Sequence, residues 1–412
     1  MTSHDPVLSA EASDRHELAG STLALARLRE SLRQTIPRDR IAAALSLTCE
    51  RWRSRSFEAR RETLSLAARA SGFSPALLDE SLDALLKPFH PAAFESLAAK
   101  LATRPQLLGF IMPGNVIGAG LHEVCQALIG GAAIVLKTSS GEPRFFAALV
   151  RTLREIDAQA GSRIAVLNWS RADTDRTAAM KQACDRVVAF GADESIAALD
   201  SGAGLIAFGS RASGALVALD CDATAAVDLV ARDVGLFEQR GCLSAHHVFV
   251  EDSGAGVARD FAAELAAALD RFAKQFPPPI ALPLQAAAAI RSARENARWR
   301  RLGGRDVAMW EGERLGWTVI YDGAADFRLS PGNRTVYVTP FRNLADLGGR
   351  LEPAAGRLEA FAIADSPGRL SDARAHLKSI GVSYLAAPGE MQSPPLEWRH
   401  GVGALLDLFV AR

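Results

Sequence analysis

Apolar residues recur along this chain with two different spacings, and the change between them divides it. From about Leu23 to Leu86 they fall three and four residues apart, the spacing of amphipathic helices. IAAALSLTCERW (41–52) is one such segment and FSPALLDESLDALLKPF (73–89) another. The second offers Ser74 as N-cap and Pro75 at the first helical position. This region predicts a helical lead-in, preceded by a polar stretch, 1–20, that is expected to fray. From Leu107 onward, short apolar runs alternate with helical stretches. LLGFIMP (107–113), AAIVLK (132–137), RIAVLNW (163–169), RVVAF (186–190) and LIAFG (205–209) read as strands. GLHEVCQALIGG (120–131), EPRFFAALVRTLREID (142–157) and a stretch through Met180 read as helices between them. Strands covered on both faces are apolar almost without interruption, so the rhythm predicts an α/β fold with a doubly wound parallel sheet. A second α/β stretch spans about 234–382. It contains HHVFVE (246–251), an Ala-rich helix (256–274), GWTVIYD (316–322) and RTVYVTPF (334–341), with FPPPI (276–280) as a break.

Composition narrows the function classes. The chain has 412 residues, 49% hydrophobic and 23% charged, which fits a globular protein of more than one domain. Lys plus Arg and Asp plus Glu both number 47, a balance that gives no support for nucleic acid or an anionic membrane as the main partner and leaves room for a local basic patch at a phosphorylated cofactor. The start has neither a basic n-region nor an apolar core, and no apolar run approaches the roughly 18 residues of a membrane span. The five cysteines (Cys49, Cys125, Cys184, Cys221, Cys242) form no CxxC pair. A disulfide framework or zinc site is therefore not expected, and a reducing cytoplasm is.

RGCLSAHH (240–247) concentrates the candidate chemistry. Cys242 reads as a nucleophile, a metal ligand or a buried core residue. Gly241, Ser244 and Ala245 are small and leave room for a substrate, and a thiolate attacks carbonyl or thioester carbon readily. His246 or His247 would lower the thiol's pKa, but neighbours in a strand point to opposite faces, so at most one faces the cysteine. These three residues are too clustered to close a tetrahedral metal site, so no metal is expected. PGNVIGAG (113–120) departs from GxGxxG. It reads either as a Gly-rich strand-to-helix turn or as a turn whose Asn115 amide donates to a developing oxyanion. Lys137 stands at the carboxyl end of a strand, where open α/β sheets bind ligands, or is simply a solvated lysine. FGADESI (190–196) reads as a pyrophosphate site at a helix start or as a β-α turn capped by Asp193.

In this order, MPGNVIG (112–118), AIVLKTSS (133–140), VVAFGADESI (187–196), the FGSRASG turn (208–214), DVGLFEQRGCLSAHHVFVE (233–251), NRTVYV (333–338) and GVSYLAAPGEMQSPPLEWRHGVGALLDL (381–408) resemble the aldehyde dehydrogenase superfamily. The specific resemblance is to the fatty acyl-CoA reductase family that supplies aldehyde to bacterial luciferase, and it covers nearly all of the chain after residue 25. It implies a helical N-terminal segment (1–90), a Rossmann-like NAD(P)-binding domain (91–233), an α/β catalytic domain with a nucleophilic cysteine (234–382) and a C-terminal segment (383–412). That last segment either packs across a subunit interface or closes its own domain. Cys242 matches the family's catalytic cysteine and Asn115 its oxyanion-hole asparagine, with His246 as a candidate for proton transfer. Lys137, Ser139 and Ser140 match the strand-end motif at the adenosine ribose. Gly191, Ala192 and Asp193 match the turn that approaches the cofactor, and Gly209 lies in the FGSRASG turn.

Three departures from the dehydrogenases refine the expectation. Ala207 stands where hydrolytic members carry a glutamate base, so water is poorly activated and thiol exchange or reduction is favoured. Ser140 replaces the carboxylate that would repel a 2′-phosphate, which points to NADPH with NADH as the alternative. Ser330 aligns with the glutamate that positions the nicotinamide ribose. The expected function is NADPH-dependent reduction of an acyl thioester, from acyl-CoA or an acyl carrier protein, to the aldehyde through an acyl-cysteine. The alternatives are NAD(P)-dependent aldehyde oxidation and a non-catalytic cofactor-binding subunit. The resemblance further implies a homo-oligomer.

Overall fold

The computed structural model describes residues 14–142, 144–199, 204–218, 223–365, 370–401 and 405–410. Cys221 and most of the N-terminal stretch expected to fray lie outside them. From Asp14 that stretch is helical: Asp14–Ser31 is a helix whose Ala24 and Leu28 are buried against a sheet. The chain forms two compact units, one of residues 1–71, 85–210 and 395–412, the other of residues 72–84 and 211–394.

The first unit is built on a five-stranded sheet of β1 (Leu107–Ile111), β2 (Ala133–Thr138), β3 (Ile164–Asn168), β4 (Arg186–Phe190) and β5 (Leu205–Phe208). Its order is β3-β2-β1-β4-β5 and every pairing is parallel. The strands are apolar along nearly their whole length because helices cover both faces. On one face Ala24 and Leu28 pack with Leu107, Val135, Leu167 and Met180. Elsewhere in the unit the helix Arg38–Arg53, part of the lead-in, packs on the helix Phe145–Ile156. Trp52 stands edge-on to Phe145 at 5.1 Å, and its indole N–H donates to Thr152 Oγ1 at 3.2 Å.

The second unit holds a seven-stranded sheet of β6 (Ala212–Val217), β7 (Ala245–Glu251), β8 (Val307–Glu311), β9 (Thr318–Asp322), β10 (Thr335–Phe341), β11 (Leu358–Ala364) and β12 (Tyr384–Ala386). The order is β12-β11-β6-β7-β10-β9-β8, parallel except for β8, which runs antiparallel to β9 at the edge. Phe249, Phe327, Phe341, Phe361, Leu347 and Leu377 fill a core of this unit. The FPPPI break falls between the helices Val257–Gln275 and Leu284–Leu302, where prolines can neither continue the first helix nor disturb the second. Leu77 N–H donates to Ser74 Oγ at 3.1 Å, so the cap read before Pro75 forms.

Two irregularities meet at the start of β6. Between Ser213 and Gly214 the pairing with β7 jumps from Ala245 to His247, leaving His246 as an extra residue. On the other side, Ala212 and Gly214 pair with Leu358 and Phe361, leaving one extra residue in β11. Each bulge interrupts the ladder and leaves backbone groups there to find other partners. Among the described residues no helix is long and apolar enough to cross a membrane.

Candidate active site

In the first unit, β1 to β3 step to one side of the sheet and β4 and β5 to the other. The reversal lies between β1 and β4, and such a reversal opens a crevice outside the carboxyl ends of the strands. The turns after β1, β2, β4 and β5 share this edge, which gathers Asn115, Ser139, Ser140, Gly191, Ala192, Asp193 and Gly209. Lys137 is the penultimate residue of β2. Its Nζ lies 3.4 Å from the Thr138 carbonyl and 5.8 Å above the Trp169 ring, and burial, aided by Arg171, lowers its pKa. Gly114 must be glycine, because a Cβ there would sit 2.1 Å from Ser139 Oγ. Gly191 leaves its turn open, since a Cβ would meet nothing nearer than Ser195 Cβ at 3.7 Å. The N-cap of the five-residue helix Asp193–Ala197 is Ala192, with no side-chain cap. The Asp193 carboxylate instead accepts from Ser210 N–H at 2.8 Å, and Gly209 is small because Asp193 Oδ1 would lie 2.4 Å from its Cβ.

The same unit holds a group that sequence reasoning missed. Phe190 and Phe208, the last residues of β4 and β5, stack at 4.7 Å; His400 stacks on Phe208 at 4.5 Å and Trp398 on His400 at 4.3 Å. His400 Nδ1 is 2.8 Å from Glu123 Oε1. Burial would raise the Glu123 carboxyl, but the hydrogen bond and charge of His400 outweigh it and hold it below its ordinary value. A glutamate in the apolar helix Leu121–Ile129 was the available signal, since a buried carboxylate needs a partner.

Cys242 belongs to the second unit, in a turn closed by Ser244 N–H to Gly241 O at 3.1 Å, just before β7. The preceding Phe237, Glu238 and Gln239 all have positive φ, 55°, 52° and 60°, although none is glycine. That conformation costs roughly 1–2 kcal/mol per residue, so it survives only where its surroundings enforce it. Here they do. Phe237 N–H donates to Ser81 Oγ at 3.1 Å and Asn333 N–H to the Glu238 carbonyl at 3.1 Å. The Gln239 amide donates to Ala245 O at 2.6 Å and accepts from Thr335 N–H at 2.9 Å. The Glu238 carboxylate meets Arg334 at 2.5 Å, both fully enclosed. Beyond the cysteine, Gln392 Nε2 donates to Ser244 Oγ at 3.2 Å.

Cys242 and Cys184 are half-buried, and Cys49 and Cys125 are buried. Burial pushes Cys49 and Cys184 up to about 12 and Cys125 well above its ordinary value, so these stay protonated at neutral pH. His246 Nδ1 is 2.9 Å from Ser330 Oγ, and burial lowers its pKa to about 4, so the ring is neutral at pH 7. His247 accepts from Arg328 N–H at Nδ1 and so carries its proton on Nε2, which bonds Thr339 Oγ1 at 2.9 Å. Both of its nitrogens are committed to structure.

Asp233, fully buried in the helix Ala223–Gly235, accepts Gly389 N–H at 2.7 Å and Met391 N–H at 3.1 Å, anchoring the loop that carries Gln392. Burial raises its pKa to about 7 against these two bonds. A raised folded value means that Asp233 contributes stability in full below about pH 4, its unfolded range, and that this contribution is lost as pH rises through about 7. Wild type is therefore expected to lose stability relative to Asp233→Asn between pH 4 and 7. Urea midpoints across that range check it, and a constant difference would count against it.

The family model described as acyl-CoA reductase (LuxC) matches residues 84–411. The long-chain acyl-protein thioester reductase of Aliivibrio fischeri is 25% identical over 245 residues, 58% of this chain and 49% of its own length. The long-chain acyl-protein thioester reductase 2 of Photobacterium leiognathi is 24% identical over 244 residues, with the same coverage of 58% and 49%. The chain thus spans about half the length of the curated relatives it matches. Among solved structures, the salicylaldehyde dehydrogenase of Pseudomonas putida G7, complexed with salicylaldehyde, superposes with a TM-score of 0.71 at 15% identity, covering 96% of this chain and 89% of that one. The NAD-dependent benzaldehyde dehydrogenase of Corynebacterium glutamicum gives 0.70 at 16% identity, covering 96% and 88%. The fold is that of the aldehyde dehydrogenases, and with about four-fifths of its length matched, the chain belongs to the acyl-CoA reductase (LuxC) family.

Proposed function

We propose that the chain reduces an acyl thioester, from acyl-CoA or an acyl carrier protein, to the aldehyde, as a homo-oligomer in the cytoplasm and with NADPH as the reductant. The observation that carries this reading is Cys242, a half-buried thiol on a braced turn inside the segment matched by the family. The thioester reductase names of the relatives support the substrate class. The Cys242 thiolate adds to the thioester carbon, the bond from that carbon to the donor's sulfur breaks, and the donor leaves as a thiol after taking a proton. The oxyanion role is assigned to backbone N–H groups of the turn. When bound, the nicotinamide cofactor supplies the hydride that takes the acyl group to the aldehyde level. Collapse of the hemithioacetal on Cys242 then releases aldehyde and restores the thiolate. Proton transfer by His246 would run through Nε2, because Nδ1 is engaged by Ser330. Ala207 is exposed on β5 and offers no base to a water, which favours reduction over hydrolysis.

The strand-end edge of the first unit fits the cofactor, with the Gly191 turn open and the half-buried Lys137 side chain near the end of β2. Lys137, Ser139, Ser140, Gly191, Ala192, Asp193 and Gly209 are the residues proposed to hold it. Ser140 is exposed beyond β2 and brings no negative charge to a 2′-phosphate. Ser140→Glu is expected to raise the KM for NADPH by about 10- to 100-fold while that for NADH moves less than about threefold. Steady-state kinetics with both cofactors check it, and an unchanged NADPH KM removes Ser140 from the site. Intact-protein mass spectrometry after incubation with acyl-CoAs and acyl carrier proteins tests the reaction itself: one added acyl group, discharged as aldehyde on adding NADPH, is the expected result.

A further inference from the structure

We infer that Ser213 is a positioning residue for Cys242, an inference that rests on the reading of Cys242 as the acylated nucleophile. Ser213 lies on β6 where the bulges in β7 and β11 interrupt the ladder on both sides. Its hydroxyl takes over on both sides: Oγ donates to the Cys242 carbonyl at 2.6 Å and accepts from Ala360 N–H at 3.0 Å. The side chain is fully buried, so it has no solvent to turn toward, and both hydrogen-bonding directions of the hydroxyl are used. The Cys242 carbonyl thereby gains a fixed partner at the sheet. On the other side, Gln392 holds Ser244 and Gln239 holds the Ala245 carbonyl. Of these contacts, the one from Ser213 reaches Cys242 itself and fixes the peptide that follows its side chain. A thiolate in line with a thioester carbon gains rate from a fixed approach, and a displacement of about 1 Å costs on the order of 100-fold.

The test compares wild type, Ser213→Ala and Ser213→Thr by single-turnover acylation of Cys242, steady-state kinetics and thermal unfolding. Ser213→Ala is expected to acylate about 10- to 100-fold more slowly, with kcat lowered and the KM for the acyl donor within about twofold of wild type. Ser213→Thr, which keeps the hydroxyl, is expected to recover most of the rate. A folded Ser213→Ala that acylates at the wild-type rate overturns the inference, and so does a folded Ser213→Thr as slow as the alanine variant. Should the alanine variant not fold, the threonine variant decides: acylation near the wild-type rate upholds the role and a slow one overturns it. If wild-type Cys242 accepts no acyl group from any thioester, the nucleophile reading fails by itself. Iodoacetamide labelling then reads the tether: faster alkylation of Cys242 in Ser213→Ala upholds it, and equal rates overturn it.

Discussion

Cys242→Ala is expected to take up no acyl group and to release aldehyde at least roughly 10⁴-fold more slowly than wild type, since the step that splits the reaction in two is gone. No other described thiol stands in for it. Cys49 and Cys125 are buried, and burial also keeps the Cys184 thiol protonated at neutral pH. A serine is a much weaker nucleophile at this pH without a base beside it, so Cys242→Ser is expected to fall close to the alanine variant. Mass spectrometry of the acyl adduct, together with aldehyde release under saturating NADPH, checks both variants. An adduct on Cys242→Ala would place the chemistry elsewhere.

The second large effect concerns stability. Arg334→Ala is expected to destabilise the second unit by about 3–5 kcal/mol, the usual cost of stranding one member of a buried ion pair. Arg334 and Glu238 have side chains essentially out of solvent, and burial alone lowers the first and raises the second against their mutual attraction. Among the described residues, Glu238 Oε2 and Arg334 Nε and Nη1 have no hydrogen-bond partner, although the guanidinium lies 5.0 Å from the Phe272 ring. A pair so incompletely satisfied contributes little net stability, but its rupture leaves a bare charge beneath the strained turn. The double variant Glu238→Gln/Arg334→Met is therefore expected to recover most of the loss. Chemical denaturation of the three proteins checks this, and a double variant no better than Arg334→Ala would refute it.

The first sheet was legible because β1 to β5 are apolar almost throughout, and such runs have few other readings. β6 was not. Ser213 and Gly214 break its apolar run, so FGSRASG read as a turn, although the strand begins at Ala212. The helix Leu284–Leu302 escaped notice because its buried residues are few, Ile290, Arg294 and Ala297, while Leu284, Trp299 and Leu302 are exposed, so apolar positions do not mark one face. β12 spans only Tyr384–Ala386, too short for alternation to show. Cys242 and the strand-end turns could be picked out from local residue types. Their supports could not. Glu238 and Arg334 are 96 residues apart, Asp233 and Met391 158 apart, and no local pattern links them. The left-handed run at Phe237–Gln239 contains no glycine to announce it.

The extra residue in β7 works like a frameshift in the alternation of its side chains. His247 and Phe249 stack with ring centroids 4.4 Å apart and look into the aromatic core, with Phe327 5.6 Å from the His247 ring. Because strand side chains alternate with a period of two, their facing depends on the register with β6, which restarts after the bulge at Gly214 and His247. Loss of His246 would close the bulge and leave His247 to Val250 opposite the same residues of β6, so that Val248 and Val250 keep their side. Substitutions within β7 thus meet a local packing demand, and the extra residue gives the segment before His247 slack in length, whereas a one-residue deletion beyond His247 would exchange the two faces of the strand from that point on.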